Sequence, residues 1–152
     1  GQTSVLVDVS GSMTWALSQK SDMTRLDAAC GVAIIARELC PDLRVFTFSN
    51  HGVEVPPRNG FALADAIRTS QRHGGTMLGS AVRGLEAEVE MDRLIVITDE
   101  QSHDTVPDPK THKAYMINVA SNRNGVGYGA WTHVDGFSES VMHFIAALEN
   151  EH

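Results

Sequence analysis

Hydrophobic positions change period repeatedly along this chain. Thr3 to Val9 (TSVLVDV) is apolar almost without break and rich in β-branched residues, the pattern of a central parallel strand covered on both faces. From Leu26 the spacing switches to three and four, through Ala29, Cys30, Ala33 and Ile34, which predicts a helix. Thr24 and Asp27 in TRLD form a capping box at or near its start, and Pro41 stops it. Leu43 to Ser49 (LRVFTFS) is a second strand. His51 to Val55 (HGVEV) follows after a connection too short for a crossover helix, so the two are expected to pair as an antiparallel hairpin at the sheet edge.

Two further helices are expected, one from Phe61 to about Gln71 and one carrying the stripe Leu78, Ala81, Val82, Leu85 and Val89. Arg93 to Thr98 (RLIVIT) repeats the pattern of the first strand and runs into Asp99; Lys113 to Ala120 is a fifth strand candidate, and Trp131 to Val134 a last edge strand. Ser138 can cap a C-terminal helix with the buried stripe Val141, Phe144, Ile145 and Leu148. The alternation predicts an α/β fold: a doubly wound, mostly parallel six-stranded sheet with one antiparallel edge strand and helices on both faces. Ligands of such sheets bind outside the carboxyl ends of the strands, where Asp8 and Asp99 sit.

At 152 residues and 42% hydrophobic composition the chain reads as one globular domain, residues 1–152, able to bury a core without staples. Gly1 followed directly by strand-like sequence reads as the start of a domain cut from a longer protein. The formal net charge of -7 argues against a broad phosphate-binding surface, because nonspecific nucleic-acid affinity comes mostly from counterion release onto Lys and Arg. Cys30 and Cys40 lie at either side of the first helix, about three turns apart and poorly placed for a disulfide, which fits reduced thiols and a cytoplasmic setting. No apolar run reaches the roughly 20 residues of a membrane span, and the N-terminus lacks the basic and apolar regions of a signal peptide.

The chemistry gathers at the strand ends. DVSGS presents Asp8, Ser10 and Ser12 on one turn, with Gly11 expected to permit the bend. GGT brings Thr76 behind Gly74 and Gly75, which let the chain approach closely, and a third loop brings Asp99. Two carboxylates and three hydroxyls suit a hard divalent cation, magnesium foremost with manganese or calcium as alternatives, and lack the soft ligands zinc prefers. Taken alone, DxSxS also reads as a helix cap; GGT and a strand-terminal TD at suitable intervals favour the metal.

This combination resembles the metal-ion-dependent adhesion site of von Willebrand factor type A domains, over almost the whole chain. The resemblance implies that Asp8, Ser10 and Ser12 hold the ion directly or through water, that Thr76 binds directly in some states, and that Asp99 acts through water. It also implies that the ion takes an aspartate or glutamate of a protein partner. RLIVITDEQSH, KAYMINVASN and VDGFSESVMHFI further resemble the C-terminal A-type domain of the Ro ribonucleoprotein family, which implies a protein that binds noncoding RNA through a neighbouring domain of helical repeats. This chain carries no such repeats, and Glu100 stands where many adhesion-type domains have glycine.

Other polar residues have plainer readings. His103 and Asp104 follow Asp99 closely enough to line the same face, or belong to a solvent-exposed loop. The remaining histidines show no ligand spacing such as HExxH. Tyr128 and Trp131 beside GVGYG could stack RNA bases, although packing of the fold is the stronger reading. The sequence has no GxSxG elbow, no phosphate loop and no GxGxxG run, so a binding module is favoured over an enzyme. A stand-alone metal-dependent protein-interaction domain unrelated to RNA is the main alternative, ahead of a metal-dependent phosphohydrolase.

Overall fold

A computed structural model of the chain describes residues 2–17, 22–40, 42–99, 104–111, 113–120 and 130–135. The expected C-terminal helix, Tyr128, Glu100 and His103 lie outside them. Six strands, β1 (Thr3–Asp8), β2 (Arg44–Phe48), β3 (Gly52–Glu54), β4 (Arg93–Thr98), β5 (Lys113–Asn118) and β6 (Thr132–Asp135), form one sheet in the order β3-β2-β1-β4-β5-β6. All pairs are parallel except β2 with β3, which closes the edge as the short HGVEV connection requires. The strand order reverses at β1, with β2 on one side and β4 on the other, the kind of switch point beside which open α/β sheets bind ligands.

Alternation along each strand divides the core. Val5 and Val7 of β1, Ile95 and Ile97 of β4, and Tyr115 and Ile117 of β5 face α1 (Arg25–Leu39) and α2 (Gly60–Arg68). Leu6, Phe46, Phe48, Leu94, Val96 and Met116 face the opposite way, toward α3 (Leu78–Glu88) and Trp131. Burial on both faces explains the continuous apolarity of β1 and β4. The α1 face toward the sheet is built largely of small residues, Ala28, Ala29, Cys30, Val32, Ala33 and Ala36, which let the helix lie close to it. Neither cysteine is in a disulfide, and burial pushes the Cys30 thiol up to about 11, so it stays protonated and unreactive. Among the described residues no helix is long and apolar enough to cross a membrane.

The capping box at α1 forms as expected. Thr24 Oγ1 accepts the Asp27 amide at 3.0 Å, and the Asp27 carboxylate accepts the Thr24 amide at 2.9 Å. Arg68 of α2 bonds the other oxygen of Asp27 at 2.8 Å, tying the two helices, and these bonds hold the Asp27 carboxyl below its ordinary range. Thr24→Ala is expected to cost about 1 kcal/mol, read as a lower urea midpoint with unchanged slope.

Trp131 is buried and its Nε1 donates to the Pro107 carbonyl at 3.0 Å, which settles it as a packing residue. Asp104 is likewise a structural group. Its two carboxylate oxygens accept the amides of Gly79 and Ser80 at 2.8 and 2.7 Å, capping α3, whose own N-cap residue Met77 makes no side-chain cap bond.

Candidate metal centre

Asp8 is the last residue of β1 and is fully buried. One carboxylate oxygen accepts the amide of Ser10 at 2.8 Å, an Asx-type closure that turns the chain as the strand ends. The other accepts the hydroxyl of Thr98, the last residue of β4, at 2.7 Å. Burial raises the Asp8 carboxyl to about 6, the charge of Asp99 adding to the rise while Ser10 and Thr98 oppose it.

After Ser10 the chain enters a short 3-10 turn, Gly11–Thr14, which places Ser12 so that its hydroxyl donates to Asp99 at 2.5 Å. Gly11 has an ordinary backbone conformation, and a Cβ there would meet only carbonyl oxygens of Gly74 and His73 at 3.6 and 3.7 Å. The bend therefore does not require glycine, contrary to the expectation from sequence. Asp8 and the turn supply it.

The Gly11 amide donates to the Gly74 carbonyl at 2.9 Å, docking the GGT loop against the DVSGS turn, and His73 Nδ1 lies 2.7 Å from the Val9 carbonyl. Ser49, at the end of β2, holds the same loop: its hydroxyl accepts the Gly74 amide at 2.7 Å and donates to the Gly75 carbonyl at 2.9 Å. At Gly74 a Cβ would come within 2.7 Å of the Asn50 side chain and 3.2 Å of the Ser49 hydroxyl, so glycine does permit close approach there. Thr76 is buried beyond this turn. All three loops thus meet at the carboxyl ends of β1, β2 and β4, with Ser12 bonded to Asp99 and Asp8 close enough to feel its charge.

Ser10 supplies the observation that bears on a ligand. It is fully buried, and its Oγ makes no well-formed hydrogen bond among the described residues, although its side chain lies near enough to Asp8 to hold that carboxyl down; such a hydroxyl is costly unless something else engages it. Oxygen donors of this kind fit magnesium, manganese or calcium. Among the described residues no three His, Cys, Asp or Glu side chains group as a metal site, so a cation here would rely on hydroxyls as much as on carboxylates.

Sequence reasoning missed a cation at this place, along with the supporting hydroxyls of Thr98 and Ser49. Arg25, the first residue of α1, has its Nη1 3.0 Å from the same Asp99 oxygen that Ser12 engages. Its guanidinium lies 5.4 Å from the ring centre of Trp15, which is more than half exposed.

No protein-family model and no curated protein matches the sequence. Solved structures do match in three dimensions. An aerotolerance-related membrane protein from Bacteroides fragilis, carrying multiple mutations to serines, is similar with a TM-score of 0.68 at 15% identity, over 99% of this chain and 99% of that one. The RO (RSR) protein of Deinococcus radiodurans gives 0.68 at 20% identity, over 97% of this chain and 34% of that one. Proximal thread matrix protein 1 from the mussel byssus, with a zinc-occupied MIDAS motif, gives 0.56 at 15% identity, over 99% of this chain and 45% of that one. These likenesses show the fold alone, a mostly parallel six-stranded α/β sheet like that of von Willebrand A-type domains.

Proposed function

We propose that residues 1–152 form an A-type protein-interaction module in which Asp8, Ser10, Ser12, Thr76 and Asp99 hold a divalent cation, magnesium foremost. The bound ion would supply a Lewis-acidic position for a carboxylate of an aspartate or glutamate on a protein partner. The observation that carries the reading is the buried Ser10 Oγ, without a well-formed hydrogen bond among the described residues, beside two carboxylates at the strand ends. Asp8, held by the Ser10 amide and the Thr98 hydroxyl, fixes the turn on which the hydroxyls sit, and Ser49 with Gly74 fixes the loop that brings Thr76. The mussel protein's MIDAS motif accommodates zinc; here the all-oxygen donor set favours harder ions.

A binding role is favoured over catalysis because the sequence offers no nucleophile elbow and no phosphate loop. An RNA-handling role through a neighbouring domain rests on the Ro-like motifs alone, and the net charge of -7 predicts poor RNA binding by this chain itself. Calorimetric titration with magnesium and manganese tests the metal. Binding by the wild type that is lost in Asp8→Ala is the expected result, and equal binding by both would remove the proposal. Partner capture abolished by chelator is the expected signature of the interaction role, whereas metal-dependent phosphoester hydrolysis would point to the enzyme.

A further inference from the structure

Arg25 stands in a place that local rules disfavour. A cation in the first turn of a helix opposes the helix dipole, and the guanidinium is largely buried, its side chain 11% exposed. Tertiary contacts hold it there. Residues 15–17 lie against residues 23–25 through an antiparallel bridge between Ala16 and Thr24, with the Leu17 amide bonded to the Met23 carbonyl at 2.8 Å and the Arg25 amide to the Trp15 carbonyl at 3.0 Å. This staple fixes Arg25 between the Trp15 ring and the Asp99 carboxylate. Arg25 Nε is buried and has no partner among the described residues, so the side chain is anchored through Nη1 on Asp99 and the face of the indole.

We propose that Arg25 is a built-in competitor for the cation, one that shares Asp99 with the metal and sets how tightly the site binds it. The inference rests on the metal-site reading above. Of the two carboxylates, Asp99 already faces a guanidinium through Oδ2, the oxygen that also receives the Ser12 hydroxyl. A divalent ion entering between Ser12 and Asp99 meets a single net negative charge instead of two, because the guanidinium beside Asp99 is kept from swinging away by the Trp15 staple. This weakens divalent binding, so the site is tuned to low affinity by a residue that ligates nothing.

Manganese titration by calorimetry of wild type, Arg25→Gln, Arg25→Lys and Asp8→Ala tests this. Glutamine can still donate to Asp99 but carries no charge, and Arg25→Gln is expected to bind manganese about tenfold more tightly or better. Arg25→Lys keeps the charge and should stay near the wild-type value; Asp8→Ala should not bind. Arg25→Met is a second neutral variant if thermal melts show Arg25→Gln to be unfolded. Binding by Arg25→Gln equal to or weaker than wild type, with Asp8→Ala inactive, would overturn the competitor role and leave the metal site standing. No binding by wild type and neutral variants alike would overturn both.

Discussion

Asp8→Asn is expected to make the protein more stable in chelator at pH 7 and, at the same time, unable to bind a divalent cation. The buried Asp8 carboxyl has its pKa raised to about 6 from an ordinary 3.8. A carboxyl whose folded pKa lies above its unfolded one binds more protons when folded, so stability falls as pH rises between the two values. Above pH 6 the wild type carries the full cost of a buried charge, about 3 kcal/mol for such a shift. Asparagine keeps an acceptor for the Ser10 amide and loses the charge. The advantage of Asp8→Asn in thermal melts should therefore be largest near pH 7 and close as pH falls toward 4. Added magnesium should then stabilise the wild type and leave the variant unmoved. A variant less stable than wild type at pH 7 in chelator would show that Asp8 is held by its hydrogen bonds more firmly than burial penalises it.

The second large effect belongs to α3. Gly79→Ala is expected to destabilise by about 3 kcal/mol or more, even though alanine is favoured over glycine in a helix interior by about 1 kcal/mol. A Cβ at Gly79 would overlap the Thr105 carbonyl oxygen and lie 2.8 Å from its carbon, and both atoms are backbone. That carbonyl cannot retreat without moving Asp104 off the amides of Gly79 and Ser80 that it caps. Gly84 lies on the same helix, where a Cβ would find nothing within 4 Å, so Gly84→Ala should stabilise by up to about 1 kcal/mol. Opposite signs from the same substitution in one helix, measured by urea melts, would establish close approach at Gly79; matching signs would refute it.

Much of the architecture is legible locally. The continuous apolarity of TSVLVDV and RLIVIT places β1 and β4 at the sheet centre, TRLD marks the start of α1, and the short link before HGVEV forces the antiparallel edge. Strand ends then locate Asp8 and Asp99 from the pattern alone. What periodicity cannot reveal is a contact between distant segments. Arg25 meets Asp99 across 74 residues of sequence, and its own neighbourhood marks it only as a residue near a helix start. Asp104 looks like a loop acid until α3 is seen to lack a side-chain cap at Met77. Glu86 looks like a solvated helix residue, yet one of its oxygens accepts the amides of Lys110 and Thr111 and the Thr111 hydroxyl, clamping the approach to β5. In each case the signal is a fold-dependent pairing, with no fixed spacing to betray it.

The antiparallel edge carries a consequence for how the molecule behaves in a crowd. β3 is only three residues long, and it is followed by Pro56 and Pro57, which have no amide hydrogen to offer an incoming chain. Across its pairing with β2, Arg44 and Glu54 interlock through two hydrogen bonds of 3.0 and 2.7 Å, setting a charged fork on this margin. Such a border is a poor template for strand addition, and so for the stacking that leads to fibrils. Self-association through this margin is disfavoured by its backbone and by the charged fork that flanks it.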